Sequence, residues 1–351
     1  MTAKILASNT WALSMSKMLI IGEFYRSSFS DGPGPFLRGL LSAAGADPRE
    51  VHYTNLFNLR PKGRLDISSF GAERSAGIPG YPSIAPKLYI DQKYAPEIER
   101  LYEEIRTIKP NIIVCLAASV VAVLTRKPAR IGSARGTIIL SPHTLHADGT
   151  PIKLICIYHP LAIMADFSLR PVAIKDLAKA IKHSASPEYV RKSRELWLAP
   201  TLEDLEKFSA RYIIPHYEEP WGVDIETARG TITEIGFALP HVGIVIPFYS
   251  RLQKDGNYWR SSREEILAWQ YVRVWLHNLR RPVFQNGLYD INYLWSKMGI
   301  KTRWAGEDTM LIHHALQPEM KKGLEFLGSI YADEPHWKKM RKDNETMKKE
   351  D

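Results

Sequence analysis

The sequence predicts an α/β protein of two domains. The first is a three-layer α/β unit with a mostly parallel sheet, and the second an α/β unit with a mixed sheet. Three observations predict this. The chain has 351 residues, about twice the ~150 typical of one domain. In its first half, short continuous apolar runs alternate with helical segments, the pattern of a parallel sheet buried on both faces. In its second half, three strand-like runs follow one another with only turn residues between them, as in an antiparallel meander.

Each element has its own signal. Residues 19–22 are a short apolar strand ending in a Gly-Glu turn, followed by a Gly/Ser/Pro/aromatic loop over 24–35. Helical spacing over 36–44 stops at Gly45, the residue type that closes helices in a left-handed conformation. Residues 51–57 read as a strand. The stretch 60–95 is rich in Gly, Pro and Ser and reads as a long loop, a common place for function. A helix over 96–108 leads into the apolar strand 111–116 and a helix over 117–125. Another buried strand, 153–158, ends in His-Pro, and a helix covers 169–183.

Residues 184–220, with Pro187, Pro200 and Pro215, form a transition in which Thr201 and Asp204 mark a helix start. Strands over 221–226, 231–238 and 242–247 make the meander. An amphipathic helix over 262–279, with Ser262 as its cap, precedes a short strand at 282–284 and helices over 290–298 and 324–331. The resulting bounds are a first domain over 18–186, a linker with a connecting helix over 187–218, a second domain over 219–336 and a charged tail over 337–351. That tail has too few apolar residues to fold. Residues 1–17 read as a dispensable extension before Met18, and no internal repeat is present.

Composition narrows the function classes. Hydrophobic residues make up 45% and charged residues 24%, which excludes a disordered chain. Cys115 and Cys156 are the only cysteines. They cannot supply a disulfide framework, an all-thiolate zinc site or a four-thiolate iron–sulfur cluster. Reduced cytoplasm is the default compartment, and no run of ~18 apolar residues exists to span a membrane. The net charge of +9 is uneven: residues 17–186 carry 22 Lys and Arg against 14 Asp and Glu, whereas 187–351 carry 24 of each. A basic first domain fits a polyanion such as nucleic acid, or simply a soluble basic surface.

The second domain holds the clearest acidic pattern. Asp224 and Glu226 lie two apart in the strand VDIET, so both leave one face of the sheet. Their repulsion is relieved by hard divalent cations with oxygen ligands, Mg2+ or Mn2+. A third carboxylate, Asp290, follows in VFQNGLYDINYL, just after Asn286 and Gly287. Such a cluster suits two-metal phosphodiester hydrolysis; the alternative is a solvated edge pair. Asp308 reads as a cap of the following helix. His313 and His314 are adjacent, hence ~100° apart on a helix, a spacing for structure rather than chelation.

These segments, with EDTMLIHHALQPEMKKGLEFLGSIY, resemble the DEDD 3′→5′ exonuclease family in the form fused to family A DNA polymerases. The resemblance covers about residues 220–337. It implies a ribonuclease H-like fold, metal-binding carboxylates at Asp224, Glu226 and Asp290, and a substrate contact at Asn286. The family's third motif, a Tyr followed by a catalytic Asp in a late helix, has no counterpart in a Y-x-x-x-D context; Asp333, Asp343 and Asp351 are the aspartates left after Tyr331. Either the exonuclease is inactive, or a separate chain completes it. A polymerase region is missing as well, so a separately encoded family A polymerase is the implied partner.

In the first domain, Glu23 at one strand end, Asn55 at a second, His159 at a third, and Phe36 beyond a Gly/Pro loop all fall where open α/β sheets place their ligand crevice. An enzyme acting on a DNA base must extract it, stack it and read its edge. Phe36 can stack, and the Asn55 amide can pair with a pyrimidine. His159 can stabilise a departing uracil, and Glu23 can orient water. Arg60, with Lys62 and Arg64, is a candidate phosphate contact. The segments LIIGEFYR, PFLRGLLSAAGADPREVHYTNLFNLRPKGR, PEIERLYEEIRTIKPNIIVCLAASV and LICIYHPLAIMADFSLRP resemble, in order, the uracil-DNA glycosylase superfamily, phage DNA polymerase N-terminal type. The resemblance covers about residues 18–185. GEFYR lacks the family's Pro-Gly after the Glu, and the cysteines do not match the cluster ligands of its iron–sulfur branch.

Three functions follow from the two resemblances. The first is a phage-type replication or repair protein, joining a glycosylase-like domain to a proofreading exonuclease in the bacterial host cytoplasm. The second is an active uracil-DNA glycosylase. The third is a non-catalytic DNA-binding accessory of a polymerase.

Overall fold

The computed structural model describes residues 17–25, 29, 32–61, 65–302 and 307–332. They form two compact units, 17–189 with 325–332, and 190–324. The carboxylates Asp333, Asp343 and Asp351 lie outside the described residues, as do Lys62, Arg64, the extension 1–16 and the charged tail.

In the first unit, strands β1 (Met18–Phe24), β2 (His52–Phe57), β5 (Ile112–Cys115), β6 (Ile138–Leu145) and β7 (Pro151–Cys156) build one sheet in the order β2-β1-β5-β7-β6. All neighbours are parallel except the β6–β7 pair. A separate two-residue pair, β3 (Gly71–Ala72) and β4 (Tyr89–Ile90), lies within the stretch that the sequence reads as loop. Buried Phe70 of that stretch stacks on Phe57 at 4.2 Å between ring centroids. The segment is therefore packed, because its aromatic residues find the end of β2.

Side-chain alternation produces three layers. Leu19, Ile21, Ile113, Cys115, Leu154 and Cys156 enter the core beneath α2 (Ala95–Ile108) and α3 (Ala118–Thr125). Met18, Ile20, Ile112, Val114, Ile155 and Ile157 enter the core on the opposite face, beneath α1 (Pro33–Ala44) and, later in the chain, α6 (Arg170–Ser184). Adjacent strand residues point to opposite faces, so a continuous apolar run fills both cores. Helix α1 ends at Gly45 with φ 96°, as its sequence predicts. Two short helices complete the unit, α4 (Ile131–Ala134) and α5 (Pro160–Ala165). Neither they nor β6 have a distinct sequence signal.

The second unit holds β8 (Glu195–Trp197), α7 (Leu202–Phe208), β9 (Pro220–Ala228), β10 (Thr231–Leu239), β11 (Val242–Pro247), α8 (Ser262–Asn278), β12 (Arg281–Phe284), α9 (Leu288–Met298), β13 (Glu307–Asp308) and α10 (Thr309–Leu316). Its mixed sheet has the order β13-β12-β9-β10-β11-β8, with β9–β10–β11 the antiparallel meander. Thr201 and Asp204 form a reciprocal capping box at α7. The cap of α8 is Ser261 rather than Ser262: its hydroxyl accepts the Glu264 amide at 3.3 Å, a bond that needs extended backbone at the capping residue.

The last helix, α11 (Leu324–Tyr331), departs from the expected domain bounds. From Glu325 onward it groups with the first unit. Ser329 is hydrogen-bonded by Arg135, and Lys179 Nζ donates to the carbonyls of Ser329 and Ala332 at 2.9 Å. Arg135 also pairs with Asp176 at 2.9 Å, both side chains almost fully buried. These are contacts between residues far apart in sequence, which local periodicity does not encode. Among the described residues, no helix is long and apolar enough to cross a membrane.

Candidate active site

The parallel register carries four segments to one edge of the first sheet. Gly22 pairs with Asn55, Ile21 with Cys115, and Cys115 with Cys156. The ladder continues as Leu116 N–H donates to Ile21 and Ile157 N–H to Cys115, each at 3.0 Å. Glu23, Asn55, the start of α3 and His159 therefore all emerge at the C-terminal edge, where α/β sheets bind ligands.

Glu23 is held in a poorly solvated position, and burial raises its pKa against an opposing hydrogen bond from Ser119. Ser119, itself 5% exposed, donates to Glu23 Oε1 at 2.5 Å. Ser119 is a site residue that the sequence reading missed. Its only sequence signal is a small hydroxyl residue in the first turn after a buried strand.

Asn55 is 5% exposed, and its amide orientation follows from a short network. Its Nδ2 donates to Asn58 Oδ1 at 3.2 Å, while Asn58 Nδ2 donates to Thr54 Oγ1 at 3.4 Å. The Asn55 Oδ1 acceptor is buried and has no hydrogen-bond partner among the described residues. Leaving such an acceptor unmet costs ~1–3 kcal/mol. The strand end is braced by Arg100 of α2, which donates to the carbonyls of Asn55 at 2.8 Å and Leu56 at 3.3 Å. Glu97 and Glu104 hold that guanidinium at 3.1 and 2.7 Å.

His159 caps α5: its Nδ1 accepts the Leu161 amide at 3.1 Å. That bond leaves the ring proton of a neutral imidazole on Nε2. Burial lowers the His159 pKa to about 4, so the ring is neutral at physiological pH. Phe36 sits in the first turns of α1, half-buried, with its ring centroid 6.5 Å from that of Phe167. Gly32, before α1, faces Met164 of α5, which brings the start of α1 beside the helix that His159 caps. Leu161, Met164 and Phe167 remain 49%, 48% and 63% exposed and give this edge an apolar rim. Arg60 is exposed beyond β2.

Residues 16–182 match the family model for the uracil DNA glycosylase superfamily. The first unit is thus uracil-DNA glycosylase-like, which implies DNA as its partner. No curated protein sequence matches the chain.

The second unit places its carboxylates differently from a ready-made metal centre. Trp221, Val223 and Ile225 of β9 enter the core, so Asp224 and Glu226 share the other face and are exposed. Asp224 lines a cavity of about 380 Å3 with Gly222, Gly236 and Gly243. Asp290, 3% exposed in α9, accepts the Ile225 amide at 3.0 Å. Burial, with some repulsion from Asp224, raises the Asp290 pKa to about 6. Burial and then Glu226 raise that of Asp224. Among the described residues, no group of three His, Cys, Asp or Glu side chains is arranged to hold a metal ion.

Asn286 has φ 62°, and its amide and that of Gly287 donate to Asp308 at 3.2 and 2.8 Å. Asp308 also accepts the amides of Met310 and Leu311, so it caps α10 as its sequence predicts. His313 is buried in α10, and His314 is exposed.

Proposed function

We propose that the first unit is an active uracil-DNA glycosylase. The observation that carries this reading is the buried, unmet Oδ1 of Asn55, held in orientation by Asn58. An acceptor beside an amide N–H complements the N3–H donor and O4 acceptor of uracil. Cytosine, with an N3 acceptor and an amino donor, presents the opposite pattern. An extruded base stacks on Phe36 while its edge meets Asn55.

In this mechanism, the bond between the sugar C1′ and uracil N1 breaks with both electrons leaving on the base. Neutral His159 donates its Nε2–H to the uracil oxygen where that charge collects, and preorganised donors of this kind supply much of a rate enhancement. Water forms the new bond to C1′. Its proton passes toward the Glu23 carboxylate, leaving uracil and an abasic site. Exposed Leu161 and Met164 are suited to fill the gap left in the stack, as apolar wedges do.

Uracil-containing DNA incubated with the protein should acquire alkali-labile sites, and His159→Ala should abolish them. If folded wild-type protein binds this DNA and leaves it intact, the non-catalytic accessory role replaces this reading.

A second reading concerns the second unit, where Asp224 lines a cavity and Asp224 and Asp290 repel one another. In it, the unit is a ribonuclease H-like 3′→5′ exonuclease that needs a further carboxylate from a separate family A polymerase and takes up Mg2+ or Mn2+ once completed. Its support is the motif resemblance and this acidic pair. Digestion of 3′-labelled single-stranded DNA with either ion, with and without polymerase, tests it. Loss of digestion in Asp224→Ala is the expected result, and no digestion in any combination rejects it.

A further inference from the structure

We propose a second nucleic-acid site on the first unit: a basic, aromatic trough that takes a short stretch of single-stranded DNA and shares no lining residue with the Glu23 and His159 site. Two cavities of about 420 and 330 Å3 share Tyr102, Arg106 and His143 and so adjoin one another. Each is in the ~300–1,000 Å3 range of ligand sites. The trough runs along α2, from Ile98 and Glu99 in its first turns to Lys109 at its end, past the end of α3 and the turn from β6 into β7. Tyr81 and Arg126 line one end, and Lys109 and His146 line the other.

Helix-end chemistry does not account for its cations. The C-terminal carbonyls of α3 are already met: Leu124 accepts the hydroxyls of Ser141 at 2.6 Å and Thr144 at 2.9 Å, and Val123 accepts the Tyr102 hydroxyl at 3.4 Å. The Arg126 guanidinium instead lies 5.0 Å over the Tyr81 ring. Arg106 pairs with exposed Glu103 on the helix surface, a contact of small energy. Lys109 and Arg126 make no ion pair among the described residues.

Backbone conformation supplies an independent argument. Lys109 and Arg126 close α2 and α3 with φ 51° and 52°. This left-handed region favours glycine, and Gly45 closes α1 in the same way. At both positions bordering the trough, a long cation stands where glycine would be less strained. Cations tracking a backbone, beside an aromatic face for a base, are the elements of single-strand binding. Glu99 is the one carboxylate among the lining residues, so the trough favours phosphate overall.

Lys109→Gly/Arg126→Gly removes both cations while relieving both left-handed residues, so the fold is retained and its melting temperature is unchanged or raised. Anisotropy of a labelled 12-residue oligothymidylate, with the full chain, is measured against salt. The double variant should bind roughly tenfold more weakly at ~0.1 M salt, with the log–log salt slope reduced by about 1.4 for two lost phosphate contacts. Photo-cross-links from a bromouridine oligonucleotide should map to the peptides carrying Tyr81 and Tyr102. Unchanged affinity and slope, or cross-links confined to the Phe36 and His159 peptides, would overturn the site. Equally tight binding of thymidine monophosphate alone would overturn the assignment to a strand.

Discussion

Ser119 donates a hydrogen bond of 2.5 Å to Glu23 across 96 residues of sequence, joining the first turn of α3 to the end of β1. Burial pushes the Glu23 carboxyl up, and this bond is the main force pulling it down, with Asp66 adding a further upward push. Ser119 therefore holds the Glu23 carboxyl below where burial alone would push it. In the proposed glycosylase mechanism ionised Glu23 is the form that activates water, so Ser119→Ala should move the acidic limb of the pH–rate profile for uracil release to higher pH. Ser119→Thr should restore it. A pH series of uracil release at saturating DNA measures this, and an unshifted limb with a lowered plateau would assign Ser119 a packing role alone.

His159 links pH to stability in a defined direction. Its pKa falls from 6.5 to about 4 on folding, so the unfolded chain binds the proton more readily. Stability from this residue is complete above pH 6.5 and is lost as pH falls from 6.5 toward 4, by up to ~1.4 kcal/mol per pH unit. Urea unfolding at pH 7.5 and 5 should show a wild-type loss that His159→Gln reduces. Equal losses in the two proteins would mean another group carries the effect.

The Arg135–Asp176 pair holds α11 on the first unit, with Ser329 bonded to the same guanidinium. Breaking a buried pair by removing one partner leaves an uncompensated charge and costs ~3–5 kcal/mol. Arg135→Met should lower the urea midpoint accordingly, whereas Arg135→Met with Asp176→Leu should recover much of the loss. A Cβ at Gly136 would fall 2.6 Å from Asp176 Oδ1, on a residue with φ 71°. Gly136→Ala should therefore destabilise the protein by roughly 1–3 kcal/mol. Thermal melts of the three variants check the set.

Asp290 offers a contrast between stability and activity. Its raised pKa means that ionisation is disfavoured in the fold, so its cost appears as pH rises from 3.8 through about 6. Asp290→Asn keeps an oxygen for the Ile225 amide and removes the buried charge. The variant should be more stable than wild type at pH 7.5 by ~1–2 kcal/mol, and any 3′→5′ digestion should disappear with it. Lower stability in the variant would show that the charge is compensated by a neighbour.

The sequence by itself determined the central strands of both sheets, their buried faces and most helix ends. Met18 and Ile20 face one core and Leu19 and Ile21 the other because successive strand residues alternate. Gly45, the Thr201–Asp204 box and the Asp308 cap were legible because each acts within four residues of itself. Glu23, Asn55 and His159 could be placed at one edge because parallel strands share a direction. Only the tertiary structure decided what those side chains meet. The Ser119 bond, the Asn58-imposed orientation of Asn55, the edge strands β6 and β8, and the docking of α11 on Arg135 and Lys179 depend on register and packing between distant segments. Such contacts leave no local periodic trace. For the same reason, Asp224, Glu226 and Asp290 form a clear motif in the chain and yet, among the described residues, no three-carboxylate metal group in space.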